Sequence, residues 1–393
     1  MQSPSPWLRL TAIAASAATL VAVVSGAMSL GAAHQLLSAL ALPPLVAVAV
    51  AAWVEYRRLL VPALVSIALF GLAALITAQG LHLAAATAAF ASTLVLTALV
   101  HRGEPVPIGP WRDYVTLTKP RIMSLLLLTG ICGMFVGAVG VPPLGALAAM
   151  TAGLALACGG ASALNHVLDR DIDGLMGERT RARPVTSGRV PAAYALEFGL
   201  ALSALSFALL AGLVNVLTAT LALVGNLFYV LVYTRWLKRT TTQNIVIGGA
   251  AGAVPPLVGW AAATGNLTLP AISLFLIVFL WTPPHFWALA LLIKRNYQAA
   301  GIPMLPVVRG ERETVKQILL YSFVMVAATV VPFVWGMLGL AYLVAALVLG
   351  AGFVWLAVKL ARHTTPRQAS LLFHSSLLYL ALVFVAAALD VVI

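Results

Sequence analysis

Apolar stretches of about 20 residues recur along the whole chain, and this pattern constrains the fold more than any other feature. The chain has 393 residues, of which 62% are hydrophobic and only 9% are charged. A soluble domain carries roughly a quarter charged residues, whereas about 20 apolar residues suffice for a helix to cross a bilayer. We therefore predict an all-α integral membrane protein with thirteen spans. The predicted spans cover residues 12–33, 35–54, 59–80, 82–100, 122–140, 144–166, 191–212, 216–233, 244–263, 270–293, 317–336, 339–358 and 369–390.

The positive charges lie in alternate gaps between these spans. With the N-terminus and Arg9 placed in the cytoplasm, all 23 Lys and Arg residues fall on the cytoplasmic side, and the opposite loops contain none. Cytoplasmic loops carry the Lys/Arg excess in membrane proteins. We therefore expect a multi-pass protein of the cell (inner) membrane, with a retained first span and cytoplasmic active-site loops. The same distribution explains the net charge of +12, so we expect no nucleic-acid partner.

The segment 101–113, HRGEPVPIGPWRD, is the longest polar stretch in the first third of the chain and contains Pro and Gly. Such composition is typical of a linker. Four predicted spans precede this segment and nine follow it. We therefore predict an N-terminal four-helix membrane module at residues 1–105 and a nine-helix domain at residues 106–393.

An acidic cluster follows the sixth predicted span. The chain has eleven Asp and Glu residues, and four of them lie between 169 and 178. Asn165, Asp169 and Asp173 are spaced i, i+4 and i+8, which places them on one face of a helix. Carboxylates together with substrate phosphates are typical Mg²⁺ ligands, so we predict a Mg²⁺ site here. The alternative is a solvated loop in which Asp and Arg residues pair for charge balance.

Basic residues near the cluster are candidates for holding a diphosphate, because Arg forks match phosphate oxygens in pairs. Several follow the acidic row directly, and others flank later spans. The predicted diphosphate-binding residues are Arg179, Arg181, Arg183, Lys238, Arg239, Lys294 and Arg309. For Lys238 and Arg239, ordinary flanking charge is an equally good explanation.

The third segment of interest is FLWTPPHFWALALLIKRNYQAAGIPMLPVVRG. Pro283 and Pro284 are expected to kink the helix. His285 lies well inside the predicted span, and an ionisable residue there is a functional candidate. A hydrogen bond between helices is the alternative.

Three strings carry a resemblance to a known family. NHVLDRDIDGLMGERTRARP, the segment YTRWLKRTTTQNIVIGGAAGAVPPLVGW, and the PHFWALA and AGIPMLPVVRG motifs resemble haem O synthases (protoheme IX farnesyltransferases) of the UbiA prenyltransferase superfamily. The resemblance implies a nine-helix bundle in membrane lipid that uses Mg²⁺ to transfer the farnesyl group of farnesyl diphosphate to a vinyl group of haem b. The products would be haem O, for terminal oxidases, and pyrophosphate.

The resemblance also assigns roles to residues. The catalytic set would be Asn165, Asp169, Asp173, Arg183, Lys238 and His285. His285 could approach haem iron, a propionate or the reacting vinyl group. In this family an Asp generally precedes the Tyr of the third segment, whereas this chain has Asn296. A neutral amide is a weaker Mg²⁺ ligand, so a second metal site depends on the carbonyl oxygen of Asn296.

In the N-terminal module, His34 and His82 each open a predicted span on the outer side. Histidines at equivalent ends of paired helices can ligate one haem iron from both sides. The module resembles one four-helix half of haem A synthase, which implies a bound haem and makes haem A synthase itself a candidate partner. The alternative is that both histidines are interfacial polar residues at helix ends.

Two other functions remain open. A UbiA-type prenyltransferase could act on a quinone precursor or on chlorophyllide, although PHFWALA and GIPMLP argue against this. An ion-coupled transporter is the second alternative. Transporters place their ion sites near the bilayer midplane, whereas the acids of this chain lie at one surface beside arginines.

Overall fold

The computed structural model describes residues 5–27, 32–55, 59–75, 79–102 and 109–393. These residues form helices joined by short connections and contain no β-strand. Ten of the helices are long and apolar enough to cross a membrane, and three further helices contain shorter apolar stretches. The prediction of an all-helical membrane protein is therefore confirmed.

The N-terminal part contains α1 (Pro6–Ala27), α2 (Ala32–Glu55), α3 (Leu60–Leu75) and α4 (Gln79–Arg102). The long helices that follow are α6 (Pro120–Ala138), α7 (Leu144–Leu168), α10 (Ala192–Leu213), α11 (Val216–Leu227), α13 (Asn244–Thr264), α14 (Leu269–Leu292), α17 (Gly310–Val334), α18 (Leu340–Arg362) and α19 (Pro366–Asp390). The short helices are α5 (Trp111–Leu117), α8 (Arg170–Asp173), α9 (Glu178–Arg181), α12 (Lys238–Thr240), α15 (Lys294–Ala299) and α16 (Leu305–Val308). A π-helix, Phe228–Leu237, joins α11 to α12.

Among the described residues, each predicted span overlaps one or more of these helices, and ten of the thirteen have a helix long and apolar enough to cross a membrane. The eighth span, 216–233, continues from α11 into the π-helix, whereas the first and third, 12–33 and 59–80, include residues outside the described ranges. α1 begins at Pro6 and α17 begins at Gly310, both before the predicted apolar stretches. Apolar composition marks only the part of a helix that lies in hydrocarbon, whereas the backbone hydrogen bonds continue into water. α14 runs without interruption through Pro283 and Pro284.

The N-terminal helices share a core of their own, which includes Leu8, Leu45 and Leu96. Hydroxyl groups also link α1 to α4, since the side-chain oxygens of Thr19 and Thr93 lie 2.9 Å apart. α4 packs along α10 of the following domain. The predicted domain boundary at residue 105 lies outside the described residues, so the division stays a prediction.

Helices α6 and α13 approach each other closely through glycines. A methyl group built on Gly259 would lie 1.9 Å from the carbonyl oxygen of Gly130, and one on Gly133 would lie 2.5 Å from that of Pro256. Small residues at such contacts let membrane helices pack backbone to backbone. This contact holds α6 beside α13. It therefore also fixes the position of Lys119, the residue just before α6.

Candidate metal and diphosphate site

The predicted row of polar side chains lies at the end of α7 and in α8. The N–H of Asp169 donates to the carbonyl of Asn165 at 2.9 Å, and that of Asp173 donates to the carbonyl of Asp169 at 2.8 Å. The helical repeat therefore continues across the junction between α7 and α8. The side chains of Asn165, Asp169 and Asp173 follow one another and are all buried.

Asp169 is the centre of the row. Its Oδ2 accepts a hydrogen bond from Lys238 Nζ at 2.5 Å and another from Asn165 Nδ2 at 2.8 Å. Its Oδ1 is buried without a hydrogen-bond partner, and Arg239 Nη2 lies 3.9 Å from it. A buried carboxylate oxygen without a donor is costly. This oxygen is therefore suited to a metal cation.

Asp173 and Asp171 are each held by an arginine. Arg183 Nη1 lies 2.6 and 2.7 Å from the two carboxylate oxygens of Asp173. Arg239 binds Asp171 through two nitrogens, at 2.7 and 2.8 Å. The hydrogen bonds from Arg239 lower the pKa of Asp171 to about 2. Asp171 is therefore ionised at neutral pH, whereas burial raises the pKa of Asp173 and the Arg183 guanidinium opposes that rise.

Lys119 belongs to the same cluster, although sequence reasoning did not select it. It immediately precedes Pro120 at the start of α6 and has a left-handed backbone, with φ 50° and ψ 59°. Its Nζ donates to Asn165 Oδ1 at 2.7 Å. Burial, followed by the nearby charge of Arg183, lowers the pKa of Lys119 to about 7. Because Lys119 uses Oδ1, Asn165 offers that oxygen to a metal only if the lysine moves.

The π-helix supplies further parts of the site. Thr234, which is fully buried, accepts a hydrogen bond from Asn165 Nδ2 at 3.1 Å. Tyr229 and Tyr233 stack with ring centroids 5.5 Å apart. π-Helical turns are rare and often occur at functional sites. This segment ends at α12, whose Lys238 is the residue that reaches Asp169.

The other predicted diphosphate ligands have different surroundings. Arg181 donates to the carbonyl of Gly174, and Arg179 is exposed. Lys294 pairs with Glu311 at 3.0 Å. Of the seven predicted cations, the ones in contact with the aspartates of the described residues are Arg183, Lys238 and Arg239. Arg309 instead lines a separate cavity near α17.

Asn296 lies against the loop that follows α8. Its Nδ2 donates to the backbone carbonyl of Met176. This contact ties α15 to the segment that carries the acidic row. A carboxylate could not make it, because it has no N–H to donate. Asn296 therefore acts here as a tether through its nitrogen, and its carbonyl as a metal ligand stays a prediction.

His285 is buried between aromatic rings. It stacks on Trp281 and Phe373, with centroid distances of 4.3 and 4.8 Å. Its Nδ1 lies 2.6 Å from the hydroxyl oxygen of Ser376 on α19. That hydroxyl also donates to the carbonyl of Phe373, so Nδ1 is the donor to Ser376. This arrangement favours the hydrogen bond between helices over approach to a haem iron.

His166 lies next to Asn165 on α7. Its side chain is buried, and both ring nitrogens lack a hydrogen-bond partner. In the sequence, the only sign that His166 lies near this site is its position next to Asn165. In the N-terminal module, His34 and His82 come together, with Nε2 atoms 3.1 Å apart. His82 Nδ1 also lies 2.7 Å from the carbonyl of Ala73.

Sequence comparison identifies the architecture. A profile of the UbiA prenyltransferase family matches residues 126–385. The chain belongs to this family. The UbiA fold is also seen in a digeranylgeranylglyceryl phosphate synthase, at 17% identity and a TM-score of 0.61 over 72% of this chain and 98% of the other. A UbiA homologue from Archaeoglobus fulgidus, solved with DMAPP and Mg²⁺, gives 17% identity and a TM-score of 0.54 over 70% of this chain and 99% of the other.

Among sequences, this UbiA family member is similar to proteins named protoheme IX farnesyltransferase. It is 55% identical over 282 residues to the one from Symbiobacterium thermophilum, covering 71% of this chain and 94% of that protein. It is 53% identical to the Roseiflexus sp. protein, and the match covers 72% of this chain and 53% of that protein. It is 52% identical to the Thermus thermophilus protein, and the match covers 74% of this chain and 47% of that protein. The chain thus spans about half the length of the latter two. The family resemblance inferred from the motifs is confirmed.

Proposed function

We propose that this UbiA family member transfers the farnesyl group of farnesyl diphosphate to a vinyl group of haem b, giving haem O and pyrophosphate. Support comes from the 55% identity to a protoheme IX farnesyltransferase over nearly the whole of that protein. The product would be a substrate for haem A synthase, which is the proposed partner. We propose that the protein lies in the inner membrane, with the acidic row on the cytoplasmic side.

The observation that carries the proposal is that Oδ1 of Asp169 has no hydrogen-bond partner, although the neighbouring aspartates are paired with cations. Mg²⁺ prefers oxygen ligands and is usually held by one or two carboxylates plus phosphates. Asp169 supplies one such oxygen directly, and Asn165 and Asp173 would supply others once Lys119 and Arg183 release them. With those changes, the donor set fits this ion. When bound, Mg²⁺ supplies positive charge to the diphosphate oxygens.

The surrounding cations fit the other half of the substrate. The cluster contains three aspartates, which are Asp169, Asp171 and Asp173, and four cations, which are Lys119, Arg183, Lys238 and Arg239. In the proposed reaction, Arg183 and Lys238 exchange contacts with their aspartates for contacts with the diphosphate. Positive groups at the position where negative charge develops stabilise the transition state.

In the proposed reaction, the bond between C1 of the farnesyl group and the diphosphate oxygen breaks, and both electrons leave with pyrophosphate. The π electrons of the vinyl group form a new C–C bond to C1. Water adds to the cation left on the former vinyl group and loses one proton, which gives a hydroxyethylfarnesyl substituent. Apolar helices around the site suit the farnesyl chain and the porphyrin.

The test is product formation by membranes that contain the full chain. Given haem b, farnesyl diphosphate and Mg²⁺, they should release pyrophosphate and form a more hydrophobic haem, which chromatography detects. Pyrophosphate release with a quinone precursor or chlorophyllide, but not with haem b, would instead support another UbiA-type acceptor. Ion-dependent solute uptake without a new haem would support a transporter.

A haem in the N-terminal module is a narrower proposal. Its support is the facing pair of Nε2 atoms of His34 and His82. For a haem iron to be held between the two rings, the contact between these nitrogens would have to break and the rings would have to move apart. A six-coordinate haem absorbance that disappears in His34→Ala and in His82→Ala would support the haem. Protein without this absorbance would leave the histidines as a hydrogen-bonded link between α2 and α4.

A further inference from the structure

A polar cavity lies near the end of α14, and none of the three residues of the acidic row lines it. It has a volume of about 130 Å³ and lies between the start of α13, α14, α16 and α17. Trp287 forms its buried part, whereas the exposed Arg309 and Gln243 lie at its surface. Trp287 and Tyr321 meet edge to face, with centroids 5.4 Å apart.

The lining offers hydrogen-bond donors. Trp287 is only 3% exposed, and its indole nitrogen has no hydrogen-bond partner. An indole N–H can only donate, and so can a guanidinium. Among the described residues, Arg309 has no ion-pair partner. The acid in the lining is Glu313, whose Oε1 already accepts from Gln317 at 2.9 Å. The cavity therefore suits an anionic group that accepts hydrogen bonds.

The volume narrows the choice of anion. The cavity has room for a few water molecules or a small polar group, whereas a whole porphyrin ring or farnesyl chain is larger. A carboxylate on a short aliphatic arm fits beside the guanidinium of Arg309. The indole nitrogen of Trp287 is buried, so it donates to this carboxylate after a small turn of the ring.

We propose that this cavity binds a propionate carboxylate of the tetrapyrrole acceptor. The proposal rests on the proposed function, because haem b has two propionates on the porphyrin edge opposite its vinyl groups. Gln243 follows Lys238 and Arg239 closely in the chain, so the cavity lies on the same side of the membrane as the acidic row. A propionate held by Arg309 and Trp287 sets the orientation of the vinyl edge. Arg309 thus recognises the acceptor and not the diphosphate.

The test compares haem b with its dimethyl ester, in which both carboxylates are neutral. Binding to the full chain in lipid nanodiscs is followed by haem absorbance, without farnesyl diphosphate, so that the readout does not depend on turnover. The variants are Arg309→Gln, Arg309→Lys and Trp287→Phe. Arg312→Gln is the matched control, since Arg312 is an exposed arginine three residues after Arg309, on α17 and outside the cavity lining.

We expect the wild-type protein and Arg312→Gln to bind haem b about tenfold more tightly than the ester, as hydrogen bonds to charged groups predict. Arg309→Gln should lose this preference and keep the wild-type affinity for farnesyl diphosphate. Arg309→Lys should retain part of the preference, and Trp287→Phe should reduce it.

Four results would overturn the proposal. If Arg309→Gln distinguishes haem b from the ester as the wild type does, the cavity does not hold a propionate. If Arg309→Gln weakens farnesyl diphosphate binding instead, the cavity holds a phosphate group. If the wild-type protein binds no haem, the proposed function fails together with this site, whereas haem binding without ester discrimination overturns the cavity alone.

Discussion

Lys238 Nζ lies 2.5 Å from Asp169 Oδ2, and the two side chains are only 12% and 1% exposed. One residue comes from the end of α7 and the other from α12, which follows the π-helix. The contact therefore joins two parts of the chain at the point where the acidic row needs a counter-charge. Breaking a buried pair from one side leaves an uncompensated charge.

Lys238→Met should therefore both destabilise the protein and weaken diphosphate binding. Loss of one partner of a buried pair costs about 3–5 kcal/mol, which thermal unfolding in detergent would detect. The KM for farnesyl diphosphate should rise. The matched control for stability is Lys294→Met, because the Lys294–Glu311 pair is partly exposed and such pairs contribute about 0–1 kcal/mol. Equal melting temperatures for the two variants would contradict the importance of the Lys238–Asp169 contact.

Asn296→Asp tests whether position 296 tethers a loop or binds metal. The substitution replaces an N–H donor to Met176 by a carboxylate that faces the same carbonyl. We expect a loss of about 1–3 kcal/mol of stability without Mg²⁺, larger than that of Asn296→Ala. Unfolding of both variants in EDTA provides the measurement. Wild-type stability of Asn296→Asp together with half-maximal activity at lower Mg²⁺ would instead show that position 296 is a metal ligand.

Gly259→Ala should destabilise the contact between α6 and α13. The added methyl group would lie 1.9 Å from the Gly130 carbonyl oxygen, and overpacking typically costs about 1–3 kcal/mol. Gly252→Ala, on the same helix, meets no atom within 4 Å. Since Ala is a better helix former than Gly by about 1 kcal/mol, this control should be neutral or slightly stabilised. Equal melting temperatures would argue against the close approach of the two helices.

The parts of the molecule that follow a periodic rule were predictable. Apolar length placed the helices, because a bilayer demands about 20 apolar residues per span. The i, i+4, i+8 spacing placed Asn165, Asp169 and Asp173 in one row, since the backbone stays helical through Asp169. Both predictions depend on local geometry alone.

The parts that depend on distant contacts were not predictable. Lys119 looks like an ordinary positive flank of a span, and only its left-handed backbone turns its side chain to Asn165. The π-helix has no sequence period that separates it from the end of α11. Nearness in sequence also suggested Arg179, although it is exposed, and only the fold shows that Arg183 reaches Asp173.

The most direct test of the account is the product made by Asp169→Asn. This change keeps the shape of the side chain but removes the charge beside the unpartnered Oδ1. Membranes with wild-type protein, or with the control Glu178→Gln on the exposed surface of α9, should convert haem b and farnesyl diphosphate to a farnesylated haem in the presence of Mg²⁺. Asp169→Asn should be less stable than the wild type, because Lys238 loses its buried partner, but the fraction that is folded in detergent should give no detectable product by mass spectrometry. Wild-type product formation by Asp169→Asn would contradict a metal–diphosphate site built on this carboxylate.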